Sequence, residues 1–524
     1  MSGAQKKLEC DVLVVGGGVN GAGIARDAAG RGLSVVLCEK DDLAAHTSSA
    51  STKLIHGGLR YLEHYEFTLV RKALIEREVL LRAAPHIMWP LRFVMPHDKG
   101  QRPAWMIRAG LFLYDRLARR ELLPGSQSID LRRHPAGRPL KTAFTRGFLY
   151  SDGWVDDARL VVLNAMDAAE KGAHIFTHTA CVKAARQDGR WQATLLQRGD
   201  GAHDHGDAGT EIGVSARCIV NAAGPWAAHF LQDAAGQPPD HAVRLIKGSH
   251  IVVRRLFEHD NAYIFQHPDG RIVFAIPYER DFTLIGTTDI EYHGDAGQVR
   301  IAQDEIDYLC ELSGRYFQKS VAPADVVWSY SGVRPLVEDA SSAASEVTRD
   351  YRLDFDTSGG AAMLSVFGGK ITTFRKLAEE AVDLIAPALS NPRGAWTAGR
   401  CLPGGDLFGE TPSNRSVSEF AGFVAAMQKK YGWLPAALVG RYARAYGTRI
   451  DVLLAGRTNI AAMGEEIAAG LYAAEVDYLM QREWASCAAD ILWRRSKLGL
   501  HLPADTADKL DRWIAARANK KEPS

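Results

Sequence analysis

Apolar positions fall in short runs near the N-terminus, and their spacing changes from strand to helix within thirty residues. Val12 to Val15 is a run without a polar member, which predicts a buried strand. Val19 to Gly30 carries small and apolar residues at helical spacing, and Ser34 to Cys38 forms a second strand. Glu66 to Ala83 has a helical period with many charges, and Gly153 to Gly172 predicts another helix. Ala173 to Ala185 and Gln192 to Leu196 predict strands, while Arg217 to Trp226 predicts a buried strand ending in a turn of small residues. From Arg244 to Thr288, β-branched and aromatic runs alternate with turns, the pattern of an antiparallel sheet. Ala362 to Phe367 is one more strand, followed by Gly368-Gly-Lys370 and a helix from Thr372 to Leu389. Proline and glycine cluster from Asn391 through Pro412, and the rest is helical in pattern.

Composition narrows the class. The 524 residues are enough for two or three domains. With 63 basic against 62 acidic residues the formal net charge is +1, which points away from nucleic acid as a partner. The 7 cysteines include no C-x-x-C pair, which argues against a disulfide framework, a structural zinc or a cysteine-held cluster, and no metal is expected. No uncharged run approaches the roughly 20 residues that span a bilayer, and no secretory signal is visible. The expected place is the cytoplasm, in solution or on a membrane surface.

The chemistry starts at the first glycine turn, Gly16-Gly17-Gly18-Val19-Asn20-Gly21, which lies between a strand and a helix. Gly16 permits a sharp turn, Gly18 lets backbone approach a pyrophosphate, and Gly21 lets helix and strand pack closely. The free N–H groups at the helix start favour that anion. Glu39, at the end of the second strand and followed by Lys40, sits where a carboxylate can accept hydrogen bonds from a ribose. The turn alone does not separate NAD from FAD, but three further segments favour the flavin. Thr47, Ser48, Ser49, Lys53, His56, Gly57 and Gly58 offer hydroxyls, a cation and glycines in one stretch. Ala222, Ala223 and Gly224 form a small-residue turn after a strand. Gly368, Gly369, Ile371 and Thr372 open a helix whose N–H groups can stabilise negative charge on a flavin edge. The expected cofactor is non-covalent FAD.

The expected fold class is therefore α/β + α. A discontinuous Rossmann-like FAD-binding domain takes residues 1–80, 150–225 and 335–390, with a helical, membrane-facing insertion at 81–149. A mainly antiparallel β substrate domain is inserted at 226–334, and a helical domain closes the chain at 391–524.

Ser48 to Leu62, Asn221 to Trp226, Tyr330 to Leu336 and Ser365 to Thr372 together resemble the FAD-dependent glycerol-3-phosphate dehydrogenases (aerobic, respiratory), within the D-amino-acid-oxidase-like flavoprotein superfamily. The likeness continues into the tail through Asp490-Ile-Leu-Trp-Arg-Arg-Ser-Lys-Leu-Gly-Leu500. It implies oxidation of sn-glycerol 3-phosphate to dihydroxyacetone phosphate, with electrons passing to ubiquinone or menaquinone. It also implies a peripheral position on the cytoplasmic face of the inner membrane and, as one option, a homodimer, and it adds Val182 and Gly332 to the flavin site. An oxidase that uses oxygen and a non-catalytic flavin-binding scaffold are the alternatives.

The residue chemistry fits such a substrate. A phosphate dianion needs fixed cations, and Arg334 and Arg349 are the first candidates, with Arg60 and Lys370 behind them and Tyr61 beside Arg60. The C2 hydroxyl must lose a proton, so a general base of pKa near 7 is useful. His250, in a β-branched strand, is the first choice and His56 the rival, while Arg334 can also stabilise the developing alkoxide. Gln101 to Arg120 forms an amphipathic helix, with Met106, Ile107, Leu111, Leu113, Tyr114 and Leu117 on one face and Arg108, Arg116, Arg119 and Arg120 on the other. Trp105 and Phe112 stand among the arginines, which suits a lipid headgroup boundary as well as it suits a helix packed on a core.

Overall fold

The computed structural model describes residues 7–98, 100–198, 209–238, 243–266, 271–337 and 350–518. Five parallel strands form the heart of the first sheet, in the order Ala362–Phe367, Thr210–Asn221, Lys7–Val15, Val35–Cys38 and His174–Phe176. Leu13, Val14, Val36, Leu37 and Ile219 are buried, so these strands read as continuous apolar runs. Helices Val19–Gly30, Asp157–Glu170 and Phe374–Ile385 contribute their apolar faces to one core cluster with Val12, Val14, Val35 and Leu37. Ala22, Ala25 and Ala28 bring the first helix close to the sheet.

Ten described strands make the second sheet, whose order runs Ile290–Tyr292, Val243–Arg254, Phe282–Gly286, Ile272–Tyr278, Ala262–Gln266, Met88–Pro96, Arg146–Val155 and Leu54–Ile55. Val326–Val337 pairs with Val243–Arg254 along nearly its whole length, setting His250 opposite Tyr330 and Ile246 opposite Arg334. That register brings two candidate site residues onto neighbouring strands. The tail packs its helices around Tyr442, Tyr446, Val476 and Ile491 and includes a small hairpin, Glu466–Ala468 with Leu471–Tyr472. The fold is thus α/β with a C-terminal helical domain.

Two expectations differ from these elements. Residues 81–149 are not mainly helical: Met88–Pro96 and Gln127–Asp130 are strands of the large sheet, and helix Ala104–Arg116 lies between them. Gly153 to Val155 belong to strand Arg146–Val155, and the helix starts only at Asp157, where the Asp156 carboxylate accepts the Arg159 N–H at 3.3 Å. Phe148 to Val155 is buried on both faces, so no alternation marks it as a strand. Among the described residues, no helix is long and apolar enough to cross a membrane.

Candidate active site

A cavity of ≈ 1290 Å³ opens between the two sheets. Loops from the C-terminal ends of the parallel strands form one side of it, the usual ligand position in such sheets. Gly16 adopts φ +111°, and a Cβ there would lie 2.5 Å from the Ala222 carbonyl oxygen. At Gly21 a Cβ would lie 1.9 Å from the Gly16 oxygen, so only glycine lets the helix leave this turn. The Gly17 N–H donates to Glu39 Oε2 at 2.6 Å and the Asp41 N–H to Oε1 at 2.9 Å. Burial pushes the Glu39 carboxyl above the usual carboxylate range, while the two backbone donors pull it back. The Val19 N–H donates to Ser48 Oγ at 2.9 Å, and Asn20 Nδ2 donates to the Gly368 carbonyl at 3.1 Å. The loop from Glu39 to Ser48 and the distant Gly368 are thereby tied to one turn.

Gly16, Gly18, Asn20, Glu39, Lys40, Thr47, Ser48, His56, Gly57 and Gly58 line the cavity, as do Val182, Ala222, Ala223, Gly224, Gly332, Gly368, Gly369, Ile371 and Thr372. Gly17 and Gly21 stand behind the wall and shape the turn. Lys40 lies 4.3 Å over the Trp226 ring and pairs with Asp41. Gly368 and Gly369 both have positive φ, and the helix they were expected to open begins at Phe374, six residues after Gly368.

Two assignments need correction. Lys53 does not reach the cavity: its ammonium is buried against Asp157 at 2.8 and 2.9 Å and donates to the Ser49 carbonyl at 3.0 Å. It clamps the hydroxyl-rich loop from beneath instead of facing the cofactor cavity. The Ser49 hydroxyl donates to the His46 carbonyl at 3.2 Å within its own turn, away from the cavity. Arg349 lies outside the described residues.

Arg60, Tyr61, His250, Arg334 and Lys370 line the same cavity. The Lys370 ammonium sits 4.2 Å over the Tyr61 ring, and its nitrogen is buried without a hydrogen-bond partner. Arg334 donates to Asp289 Oδ1 at 2.8 Å, on an exposed lip of the site. His250 stacks on Tyr330 at 4.7 Å and 15°, its Nε2 lies 2.9 Å from Thr52 Oγ1, and its Nδ1 has no partner. Gly286 makes room for this ring, since a Cβ there would lie 2.1 Å from His250 Cδ2. Burial, with Lys53 and Arg334 adding to it, lowers the His250 pKa to about 3, well below the value near 7 expected of a base. His56 is lowered too, chiefly by burial. Thr52 and Asp289 were missed as partners of His250 and Arg334. Thr52 lies in the hydroxyl-rich segment and was open to discovery, whereas nothing local marks Asp289.

FAD fits these residues. The space exceeds the roughly 300–1,000 Å³ of ordinary small-molecule sites. Its wall presents a helix N-terminus, the cradle that Gly16 and Gly18 keep open, and partnerless buried polar atoms at Asn20 Oδ1, Lys370 Nζ and His250 Nδ1.

Comparisons agree. Residues 11–375 match the family described as FAD dependent oxidoreductase, and residues 396–521 match the C-terminal domain of alpha-glycerophosphate oxidase. The glycerol-3-phosphate dehydrogenase of Pseudomonas aeruginosa is 54% identical over 505 residues, 96% of this chain and 94% of that protein. The aerobic glycerol-3-phosphate dehydrogenase of Escherichia coli is 48% identical, covering 96% and 97%. D-erythritol 1-phosphate dehydrogenase of Brucella abortus is 51% identical, covering 94% and 95%. The crystal structure of glycerol-3-phosphate dehydrogenase from Bacillus halodurans with FAD superposes with a TM-score of 0.76 at 27% identity, covering 98% of this chain and 92% of that one. The chain belongs to the FAD-dependent oxidoreductase family, and its cofactor is FAD.

Proposed function

We propose that this oxidoreductase converts sn-glycerol 3-phosphate to dihydroxyacetone phosphate and passes the electrons to a membrane quinone. The observation that carries the reading is that Arg60, Arg334 and Lys370 line one cavity together with His250 and the flavin loops. FAD, when bound, supplies the two-electron acceptor for the hydrogen on the substrate's second carbon. The remaining work falls to side chains. Arg334, oriented by Asp289, and Lys370, oriented over Tyr61, hold the phosphate dianion. His250 takes the C2 hydroxyl proton, with Thr52 fixing the ring at Nε2 and Nδ1 without a protein partner. Burial is the main cause that depresses this imidazole, followed by Lys53, and a dianion beside Arg334 offsets the remaining contribution, that of Arg334.

The quinone reading rests on helix Ala104–Arg116. Only Leu111 and Tyr114 of this helix are buried, while Trp105 is 70% and Phe112 53% exposed, with Tyr65 nearby in sequence to the cavity loops at 79%. Met106, Ile107, Gly110 and Leu113 line the same cavity as the flavin loops, giving an apolar way from the outer surface to the site. Such a face suits a peripheral membrane contact.

The Brucella relative leaves substrate length as the competing reading, since its name specifies a four-carbon polyol phosphate. The test is steady-state turnover of glycerol 3-phosphate and D-erythritol phosphate with a quinone analogue, recording peroxide as well. Glycerol 3-phosphate as the better substrate, with quinone-dependent turnover and little peroxide, supports the proposal. A preference for the four-carbon substrate, or peroxide formation indifferent to quinone, overturns it.

A further inference from the structure

The segment Asp490–Leu500 packs behind the active site, against both the loop that follows Glu39 and the strand that carries Tyr330. On the flavin side, Arg494 Nε donates to Asp42 Oδ2 at 2.5 Å and Arg495 Nη2 to Asp42 Oδ1 at 2.7 Å. Asp42 is three residues beyond Glu39, on the loop that carries the proposed ribose acceptor. Arg495 is anchored in turn by the Glu483 carbonyl at 3.0 Å, and Ser486 Oγ lies 3.0 Å from His178 Nε2. On the substrate side, Trp493 stacks on Trp328 at 4.6 Å and 18°. Gly499 permits that arrangement, because a Cβ there would lie 2.4 Å from the Trp493 ring. Leu500 packs into the core of the large sheet, and the His501 ring meets Phe282 at 5.4 Å.

The stack does not stop at Trp328. Trp328 and Tyr330 point the same way from one strand, 5.0 Å apart, and Tyr330 lies flat on His250. The Tyr330 hydroxyl donates to the Ser51 carbonyl at 2.8 Å, next to the Thr52 that meets His250 Nε2. Four rings therefore run in contact from the C-terminal domain to the imidazole. Each leans on the next, and interiors packed this tightly pass displacement along.

We propose that Trp493 is a positioning residue for the proton transfer: through Trp328 and Tyr330 it fixes the His250 imidazole, while Arg494 and Arg495 fix the same segment to the flavin loop at Asp42. The C-terminal domain thereby sets the base and the cofactor relative to each other. The inference rests on the reading of His250 as the base, and its test separates the two.

The experiment measures anaerobic flavin reduction by glycerol 3-phosphate in the flavin-loaded full-length protein, for Trp493→Leu, Trp493→Phe, His250→Gln and Trp493→Leu with His250→Gln. Misplacement of a reacting group by about 1 Å costs up to about 100-fold, so Trp493→Leu is expected to slow reduction by at least about tenfold. The substrate concentration at half-maximal rate should stay within about twofold, because the phosphate-binding cations are untouched. Trp493→Phe restores most of the rate, and in the His250→Gln background Trp493→Leu adds no further loss. If Trp493→Leu loads no flavin, Trp328→Leu runs the same cycle from the other side of the stack. Wild-type reduction by the tryptophan variant while His250→Gln is slow overturns the positioning role alone. An equal loss in both backgrounds overturns it as well, since the effect then bypasses His250. Wild-type reduction by His250→Gln overturns the base reading, and this inference with it.

Discussion

Replacing Asp157 by alanine removes the only carboxylate that meets the Lys53 ammonium among the described residues. The Lys53 side chain is 1% exposed and that of Asp157 0%, so the ammonium would lose its counter-charge in a site closed to bulk solvent. Asp157 also accepts from the Ser51 hydroxyl at 2.7 Å and the Ser51 N–H at 3.2 Å, and Lys53 holds a left-handed φ of 61°. Breaking a buried pair from one side typically costs about 3–5 kcal/mol, because a charge is left uncompensated. Asp157→Ala should therefore lower the apparent unfolding free energy by about that amount in equilibrium urea titrations followed by flavin fluorescence. Lys53→Met with Asp157→Leu should recover most of the loss, since two apolar side chains of similar size replace the pair without stranding a charge. The loop from Thr47 to Lys53 also carries Thr52, so the single variant should slow flavin reduction as well. A loss of about 1 kcal/mol or less would mean that the pair behaves like an exposed one, and the clamp argument would fail.

Further expectations concern the cofactor, the acid limb of stability and the membrane. Gly21→Ala should purify without flavin, because its Cβ would overlap the Gly16 oxygen; a normal flavin absorbance per protein would contradict this. His86 is buried with neither ring nitrogen hydrogen-bonded, and burial with Arg159 and Arg444 nearby lowers its pKa to about 3. Between that value and the ordinary 6.5 the unfolded chain binds a proton that the folded chain refuses. This contribution is complete above about pH 6.5 and falls away as pH drops, by up to about 1.4 kcal/mol per pH unit. His86→Leu should flatten that limb of a stability-against-pH curve, and an unchanged slope would refute the assignment. Trp105→Asp with Phe112→Asp should abolish co-sedimentation with anionic vesicles, while anaerobic reduction by substrate stays normal; unchanged sedimentation would remove the membrane role from this helix. Arg334→Lys should raise KM more than it lowers kcat if its main work is holding phosphate, and an equal KM with lower kcat would move it to alkoxide stabilisation.

What the sequence made legible was local. The strand, turn and helix at Lys7–Gly30 follow from a short apolar run and glycines whose reasons lie within a few residues, and the helix limits match those expected. The strand Ala362–Phe367 was equally plain. Arg146–Val155 was not, because a strand buried on both faces lacks the alternation that identifies a sheet, and Met88–Pro96 was not, because its irregular burial, with Pro90 exposed and Arg92 half-buried, shows no alternation either. Lys53 was placed at the flavin site because its partner lies 104 residues away. Its loop pointed to a cofactor site, but only the fold shows which side chains turn inward. His250 stood out as a polar residue in an apolar strand. Its dependence on Tyr330, Trp328 and Trp493 arises from a register and a domain contact that no spacing encodes.

The most direct measurement is the absorbance of the bound flavin near about 450 nm during anaerobic titration with glycerol 3-phosphate. The account predicts full bleaching at one equivalent of oxidised product per flavin, with color restored by a quinone analogue. Flavin that stays oxidised in excess glycerol 3-phosphate, while D-erythritol phosphate or no polyol phosphate reduces it, would contradict the proposed activity.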